Sequence, residues 1–213
     1  MHAARAALRA AGVDDEANKL EAQDLICAAA GKTPEQLYRD FSLYTTDAIA
    51  ETIEKYMDRR LAGEPIAYIV GEWDFMGLRF FVNPAALIPR VDTEMLAQLA
   101  ISRLKEHPGH TRVLDLCAGT GCVGLSIAAT LKNTRAILVD LSDGALDLCK
   151  RNIRRHKLTG RAVYLKGDAL QPPSHTLGQF DALVCNPPYI PTGDLPALDR
   201  SDRKSTRLNS SHM

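Results

Sequence analysis

The chain has 213 residues, 26 Lys and Arg against 26 Asp and Glu, with 46% hydrophobic and 24% charged residues, a composition that predicts an ordinary soluble globular protein of one or two domains. A net charge of zero argues against affinity built mainly on neutralising phosphates, because that contribution grows with the number of Lys and Arg contacts. No apolar run approaches the roughly 18 residues of a membrane span, and Arg5 and Arg9 interrupt any signal-peptide core between Met1 and Ala11, so a cytoplasmic protein without a membrane partner is expected.

Residues 1–62 read as a small all-α domain. A run from about Asp14 that includes Leu20, Ile26, Cys27 and Ala30 keeps apolar residues on one face and stops at Gly31. Thr33-Pro34-Glu35-Gln36 supplies an N-cap, a proline at the first helical position and an acidic first turn for a short helix to about Asp40. Thr46-Asp47 opens a third helix, with Ile49, Ile53, Tyr56, Met57 and Leu61 recurring until Gly63. Residues 63–92 are then read as a β-hairpin and linker: Ile66, Tyr68 and Val70 alternate, followed by Trp73 and Phe75, a turn at Met76-Gly77, and Leu78, Phe80 and Val82.

Residues 93–200 form the third segment. Thr93 to about Glu106 is predicted helical, ended by His107-Pro108-Gly109-His110, whose histidines flank a turn and are surface residues rather than metal ligands. Strands and helices then alternate: Val113–Leu116, Cys122–Leu131, Ala136–Asp140, Gly144–His156, Ala162–Leu165 and Phe180–Cys185. The fold class that follows is α/β, a parallel sheet with helices on both faces and its ligand site at the carboxyl ends of the strands. Five cysteines, Cys27, Cys117, Cys122, Cys149 and Cys185, are scattered without a CxxC pair or a histidine at ligand spacing, so buried thiols are expected and no metal.

Asp115-Leu-Cys117-Ala118-Gly119-Thr120-Gly121 lies between a strand and a helix, where glycines let the backbone approach a ligand and the helix start presents free N–H groups. By itself it fits a dinucleotide binder, a methyltransferase or a tight turn. Asp140 ends the next strand, where a carboxylate can accept both hydroxyls of a ribose, or cap a helix. The wording of the turn, with Asp115 at the strand end, favours an amino-acid nucleoside such as S-adenosylmethionine over a dinucleotide; Asp115 can hold the loop or help receive an ammonium group. Asp168 and Ala169 follow the third strand, and an acid there can accept an adenine amine or simply cap a loop.

Asn186-Pro187-Pro188-Tyr189 follows the fourth strand directly. Consecutive prolines remove backbone donors and stiffen the chain. The Asn186 carboxamide oxygen and the Pro187 carbonyl can then accept both hydrogens of a planar –NH2 group while Tyr189 stacks on its plane. An amide nitrogen is a poor nucleophile, and holding it in line with a methyl donor can supply on the order of 7–11 kcal/mol of the barrier.

Together these residues resemble the class I S-adenosylmethionine-dependent methyltransferases with an Asn-Pro-Pro-Tyr motif. Within that group, Gly63-Glu-Pro-Ile-Ala-Tyr-Ile-Val-Gly71, Phe80-Phe-Val82, Leu87-Ile-Pro-Arg-Val-Asp-Thr-Glu94, Leu37-Tyr38 and Arg59-Arg60 resemble the peptide chain release factor N5-glutamine methyltransferases. The resemblance runs from about Ala6 to Pro191. It implies methylation of the glutamine in the Gly-Gly-Gln motif of class 1 release factors, with the helical domain helping to dock that protein and no direct nucleic-acid partner. It also implies a cofactor site at Cys117–Gly121, Asp140, Asp168 and Ala169, with Asp115 and Asn186 beside it, and an amide site at Asn186–Tyr189, with Asn186, Pro187 and Tyr189 catalytic. Methylation of nucleic-acid adenine or of ribosomal-protein glutamine would use the same site. Two departures stand out: Cys117-Ala118 replace a more usual Gly-Thr, which tightens the loop, and Val91 replaces a usual Pro, which loosens the linker.

Residues 201–213 have no hydrophobic periodicity, and Asp202 to His212 resemble the in-frame translation of a sequencing-library adapter. The expectation is therefore a chain cut short near Arg200, with Phe180–Cys185 left as an apolar sheet edge and its activity and cofactor affinity in doubt. Leaving out Ser201–Met213 removes three basic residues (Arg203, Lys204, Arg207) and one acidic residue (Asp202), which takes the net charge to −2.

Overall fold

The computed structural model describes residues 15–40, 46–172 and 175–187. The chain separates into two compact units that meet between Val70 and Gly71.

The first unit holds α1 (Asp15–Ala30), α2 (Pro34–Arg39), α3 (Asp47–Leu61) and α4 (Ile66–Val70). The Thr33 hydroxyl accepts from the Gln36 N–H while the Gln36 side chain accepts from the Thr33 N–H, so both ends of a reciprocal cap are present at α2. At α3 the cap is one-sided, with the Thr46 hydroxyl accepting from the Ile49 N–H. The core is Ala22, Leu25, Met57 and Ile69, joined by Ile53, Tyr56, Ile66 and Val70. Leu20, expected on the buried face of α1, is exposed. The Arg59-Arg60 pair has a structural account: Arg60 forks onto Glu21 of α1 at 2.8 and 3.0 Å, and Arg59 forks onto Glu64 at 2.9 and 2.7 Å.

The alternation of Ile66, Tyr68 and Val70 does not make a strand. Residues Ile66–Val70 form one helical turn, with the Tyr68 and Ile69 N–H groups both on the Pro65 carbonyl, and Ala67, Tyr68 and Ile69 are buried consecutively. Pro65 starts helices well, and positive-φ glycines at 63 and 71 bracket the turn, so five apolar residues that satisfy either period take the helical one.

The second unit opens with the hairpin β1 (Glu72–Phe75) and β2 (Leu78–Phe81), closed by Met76 at φ 53° and Gly77 at φ 71°. Two left-handed residues in a two-residue loop match the twist of the flanking strands. Phe75 and Phe80 lie edge to face inside the core, with ring centroids 6.3 Å apart. Next come α5 (Val91–Lys105), β3 (Thr111–Leu116), α6 (Cys122–Thr130), β4 (Thr134–Asp140), α7 (Asp143–Arg155), β5 (Ala162–Lys166) and β6 (Ala182–Cys185). Helix α5 starts two residues earlier than the sequence suggests, placing Val91 at its first position and Asp92 and Glu94 in its first turn.

The four main strands are all parallel, in the order β5-β4-β3-β6. Among the described residues, α5, α6 and α7 all bury their apolar sides in one cluster with Val113, Ala136, Leu138 and Val184. The opposite face carries a smaller cluster of Leu114, Ile137 and Val139 with Leu116 and Phe180. Helices on both faces were expected. The one-sided result follows from topology: β3 to β4 to β5 advances in one direction, and right-handed crossovers made in one direction all fall on the same face. The reversal to β6 on the far side of β3 contains only a 3-10 turn, His175–Leu177, among its described residues. Among the described residues β6 is the edge strand, with Leu183 60% exposed, in line with the apolar edge expected there.

Candidate functional site

Strand β3 has β4 on one side and β6 on the other, so the direction of strand order reverses there and the carboxyl ends of β3 and β6 flank a crevice of the kind that binds ligands in open α/β sheets. The glycine turn leaves the end of β3. Asn186 leaves the end of β6, with Cys185 paired to Leu116.

Three backbone N–H groups tie the turn. Ala118 donates to the Val139 carbonyl at 3.0 Å, the Gly119 N–H to Asp140 Oδ2 at 2.8 Å, and the Gly121 N–H to the Ala118 carbonyl at 2.7 Å. Asp140 Oδ1 accepts from the Ser142 N–H at 3.0 Å. Each Asp140 oxygen therefore takes one backbone donor and keeps a further lone pair, an acceptor set that suits vicinal hydroxyls. Gly121 caps α6 at φ 79°, where a Cβ would meet Leu138 Cδ1 at 2.9 Å and Leu125 Cδ1 at 3.1 Å. Gly119, at φ 57°, has only Ala86 Cβ near its missing side chain, at 3.7 Å.

Asp115 holds this architecture from beneath. It is 2% exposed and its Oδ2 accepts from the Gly124 N–H in the first turn of α6 at 2.8 Å. Burial raises its carboxyl to about 7, with the Gly124 bond opposing and the Asp140 charge assisting. Of the two roles open to it in the sequence, the observed contact is the structural one. Gly124 is required at this approach, since a Cβ there would lie 3.0 Å from Asp115 Oδ2 and 2.5 Å from Leu138 Cδ2.

Cys117 adopts φ 54°, a left-handed conformation that costs a non-glycine residue about 1–2 kcal/mol. That is the physical content of the replaced glycine at this position. Burial, with the Cys185 thiol beside it, pushes Cys117 up to about 12, and burial likewise raises Cys185 and Cys149 and takes Cys122 to about 12. The thiols around the crevice are therefore neutral, and none is a nucleophile at ordinary pH.

Asp168 is half-buried and turns its Oδ1 onto the Leu170 N–H at 2.9 Å; Ala169 beside it is exposed. The Gly167 N–H donates to the Asp140 carbonyl, which brings this loop to the end of β4. Asn186 is half-buried, and its Nδ2 donates to the Thr93 hydroxyl at 3.2 Å. Pro187 is exposed. Pro188 and Tyr189 lie outside the described residues, as does the adapter-like stretch 201–213.

Two contributors escaped the sequence reading. Asn152 on α7 is fully buried, accepts from the Phe81 N–H at 2.8 Å, and donates to the Phe81 carbonyl at 3.1 Å and the Thr120 carbonyl at 2.9 Å. It joins the hairpin to the glycine turn. The available signal was a polar residue on the apolar stripe Ala145, Leu148, Cys149 and Ile153. The second is Glu94, whose Oε1 accepts from the Met76 N–H at 2.7 Å and steadies the left-handed hairpin turn. Among the described residues there is no group of three or more His, Cys, Asp or Glu able to hold a metal, and no helix long and apolar enough to cross a membrane.

The glycine turn, the Asp140 carboxylate and the Asn186 carboxamide thus stand on adjacent strand ends. Two family descriptions match the chain, the PrmC N-terminal domain over residues 1–71 and the methyltransferase small domain over residues 89–195. The release factor glutamine methyltransferase of Moorella thermoacetica is 38% identical over 201 residues, 94% of this chain and 69% of that protein. That of Geobacter sulfurreducens is 37% identical over 188 residues, 87% of this chain and 63% of the relative. That of Nitratidesulfovibrio vulgaris is 35% identical over 205 residues, 94% and 66% respectively. The chain spans about two thirds of the length of the curated relatives it matches.

Proposed function

This chain belongs to the release factor glutamine methyltransferase family, and we propose that its enzyme transfers the methyl group of S-adenosylmethionine to the side-chain N5 of the glutamine in the Gly-Gly-Gln motif of class 1 release factors, acting in the cytoplasm. The observation that carries the reading is the match to these relatives across 87–94% of the chain, through both units.

The residues fit the cofactor. Gly119 leaves an uncrowded approach, α6 begins with backbone N–H groups, and Asp140 has lone pairs for ribose hydroxyls. Asp168 and Ala169 would sit by the adenine. When bound, S-adenosylmethionine supplies an electrophilic methyl on a sulfonium and, with it, the leaving group. The chain's part is positional. Asn186 Oδ1 and the Pro187 carbonyl accept the two amide hydrogens of the glutamine and turn its nitrogen toward the methyl, with Pro188 stiffening the loop and Tyr189 stacking on the amide plane. Neutral acceptors suffice because the proton leaves to solvent once the C–N bond has formed. In this reading residues 1–62 dock the protein substrate and the part from residue 93 carries the chemistry, with the hairpin packed into the core of the latter.

The test uses the full open reading frame, labelled cofactor and a purified class 1 release factor, with mass spectrometry of the Gly-Gly-Gln peptide. One added methyl on that glutamine is expected. No label on an accessible Gly-Gly-Gln, or equal label on a release factor whose glutamine is replaced, refutes the proposal, and transfer to nucleic acid or a ribosomal protein would redirect it.

A further inference from the structure

We propose that Thr93 is a positioning residue for methyl transfer: its hydroxyl, hydrogen-bonded to Asn186 Nδ2, holds the carboxamide in place with Oδ1 left free for the substrate amide. The inference rests on the function proposed above and adds to it a residue outside the Asn-Pro-Pro-Tyr motif.

The two ends of a carboxamide are nearly the same size, so sterics alone do not choose between them. The choice matters here, because a substrate –NH2 group offers two donors and needs acceptors. With Nδ2 turned inward the site presents an acceptor; after a half-turn it presents a second –NH2 and repels the substrate. The hydrogen bond found, from Asn186 Nδ2 to Thr93 Oγ1 at 3.2 Å, engages Nδ2 and leaves Oδ1 as the free acceptor. A hydroxyl oxygen keeps lone pairs whichever way its own proton turns, so Thr93 Oγ1 can accept from Asn186.

Both ends of the bond stand on rigid supports. Thr93 lies in the first turn of α5, which buries Ala97, Ala100, Ile101 and Leu104 in the main core and is pinned through Glu94 to the hairpin turn. Asn186 is one residue beyond β6, whose pairing to β3 extends to Cys185. The bond is half-buried, so water competes weakly for the same lone pairs. Thr93 and Glu94, adjacent in sequence, thus fix the amide acceptor and the hairpin to one helix end.

The experiment compares wild type, Thr93→Val and Thr93→Ser in the full open reading frame, measuring kcat and KM on a release factor, cofactor Kd by calorimetry and thermal melting. Wild-type methylation of the Gly-Gly-Gln glutamine tests the underlying reading separately. Thr93→Val keeps the shape and removes the acceptor. It should lower kcat by roughly 10- to 100-fold through misplacement of the reacting amide, with melting and cofactor Kd near wild type. Thr93→Ser restores the hydroxyl and should recover most of kcat. Wild-type kcat in Thr93→Val overturns the proposal, and so does equal loss in Thr93→Val and Thr93→Ser, which would assign Thr93 to packing.

Discussion

Asp115→Asn separates the structural charge of this site from its hydrogen bond. The carboxyl stands at about 7 in the fold against 3.8 for an unperturbed aspartate. A raised value means that the folded state keeps a proton that the unfolded chain has already released, so this group's contribution to stability is complete below 3.8 and is lost as the pH rises through about 7. At 1.36 kcal/mol per tenfold, the whole difference is about 4 kcal/mol, of which about 2.5 kcal/mol falls between pH 5 and pH 8. Asparagine keeps an oxygen for the Gly124 N–H and cannot ionise; its new –NH2 group costs about 1–3 kcal/mol if it finds no acceptor. The variant should therefore be less stable than wild type at pH 5 and close to it, or more stable, at pH 8. Urea unfolding of both chains across this range measures the difference, and subtracting one curve from the other cancels His156, whose burial depresses its value and whose stability is lost in the opposite direction, as the pH falls. A wild-type-minus-variant difference that stays constant within about 0.5 kcal/mol from pH 5 to pH 8 refutes the reasoning.

Asn152→Ala removes all three of its hydrogen bonds and leaves the Phe81 N–H and Thr120 carbonyl behind, so a loss of about 3 kcal/mol is expected in urea unfolding, with weaker cofactor binding by calorimetry. Gly124→Ala drives a methyl against Leu138 and Asp115, both buried, and should cost about 1–3 kcal/mol in the same assay. Val91→Pro should raise stability by about 0.4–1 kcal/mol, because Val91 is the first residue of α5, is 80% exposed and follows Arg90 at φ −98°, ψ 149°, a conformation that a following proline accepts. Cys117→Gly relieves a left-handed non-glycine residue at the entropic cost of a glycine, for a net gain of at most about 1 kcal/mol by thermal melting.

Much of the sheet was readable because parallel strands are continuous apolar runs and their glycine and aspartate punctuation is chemical. The strand order and the one-sided helices were less so. Nothing in Phe180–Cys185 says that this strand crosses back to the far side of β3; that is a property of connections, and the sequence carries only their lengths. The error at Ile66–Val70 has a different origin. Five residues are too few to separate a period of two from one of 3.6, and Pro65 with its flanking glycines decided the matter. The candidate site residues Gly119, Asp140 and Asn186 were legible because each stands at a strand end in a short local motif. Asn152, Thr93 and Glu94 were opaque because each acts on backbone or side-chain groups far away in sequence, 71, 93 and 18 positions respectively for the bonds to Phe81, Asn186 and Met76.

Those three distant bonds explain why the hairpin belongs with the second unit of the chain. Asn152 ties β2 to the Thr120 carbonyl in the glycine turn, Glu94 ties the hairpin turn to the start of α5, and Thr93 ties the same start to Asn186. The glycine turn and Asn186 are therefore connected twice, directly through the β3–β6 pairing and indirectly through Asn152, the hairpin and α5. In the proposed reaction in-line transfer depends on the distance between those two groups, and a mislocation of about 1 Å far from the chemistry can cost on the order of a hundredfold in rate. Loosening the indirect route at its half-buried end, in the first turn of α5, should then appear in kcat before it appears in stability. On this reasoning Glu94→Gln, which keeps the acceptor for the Met76 N–H, should be nearly silent, whereas Glu94→Ala should lower kcat with only a small change in melting temperature; an Ala variant with wild-type kcat would show that the direct strand pairing alone sets the geometry.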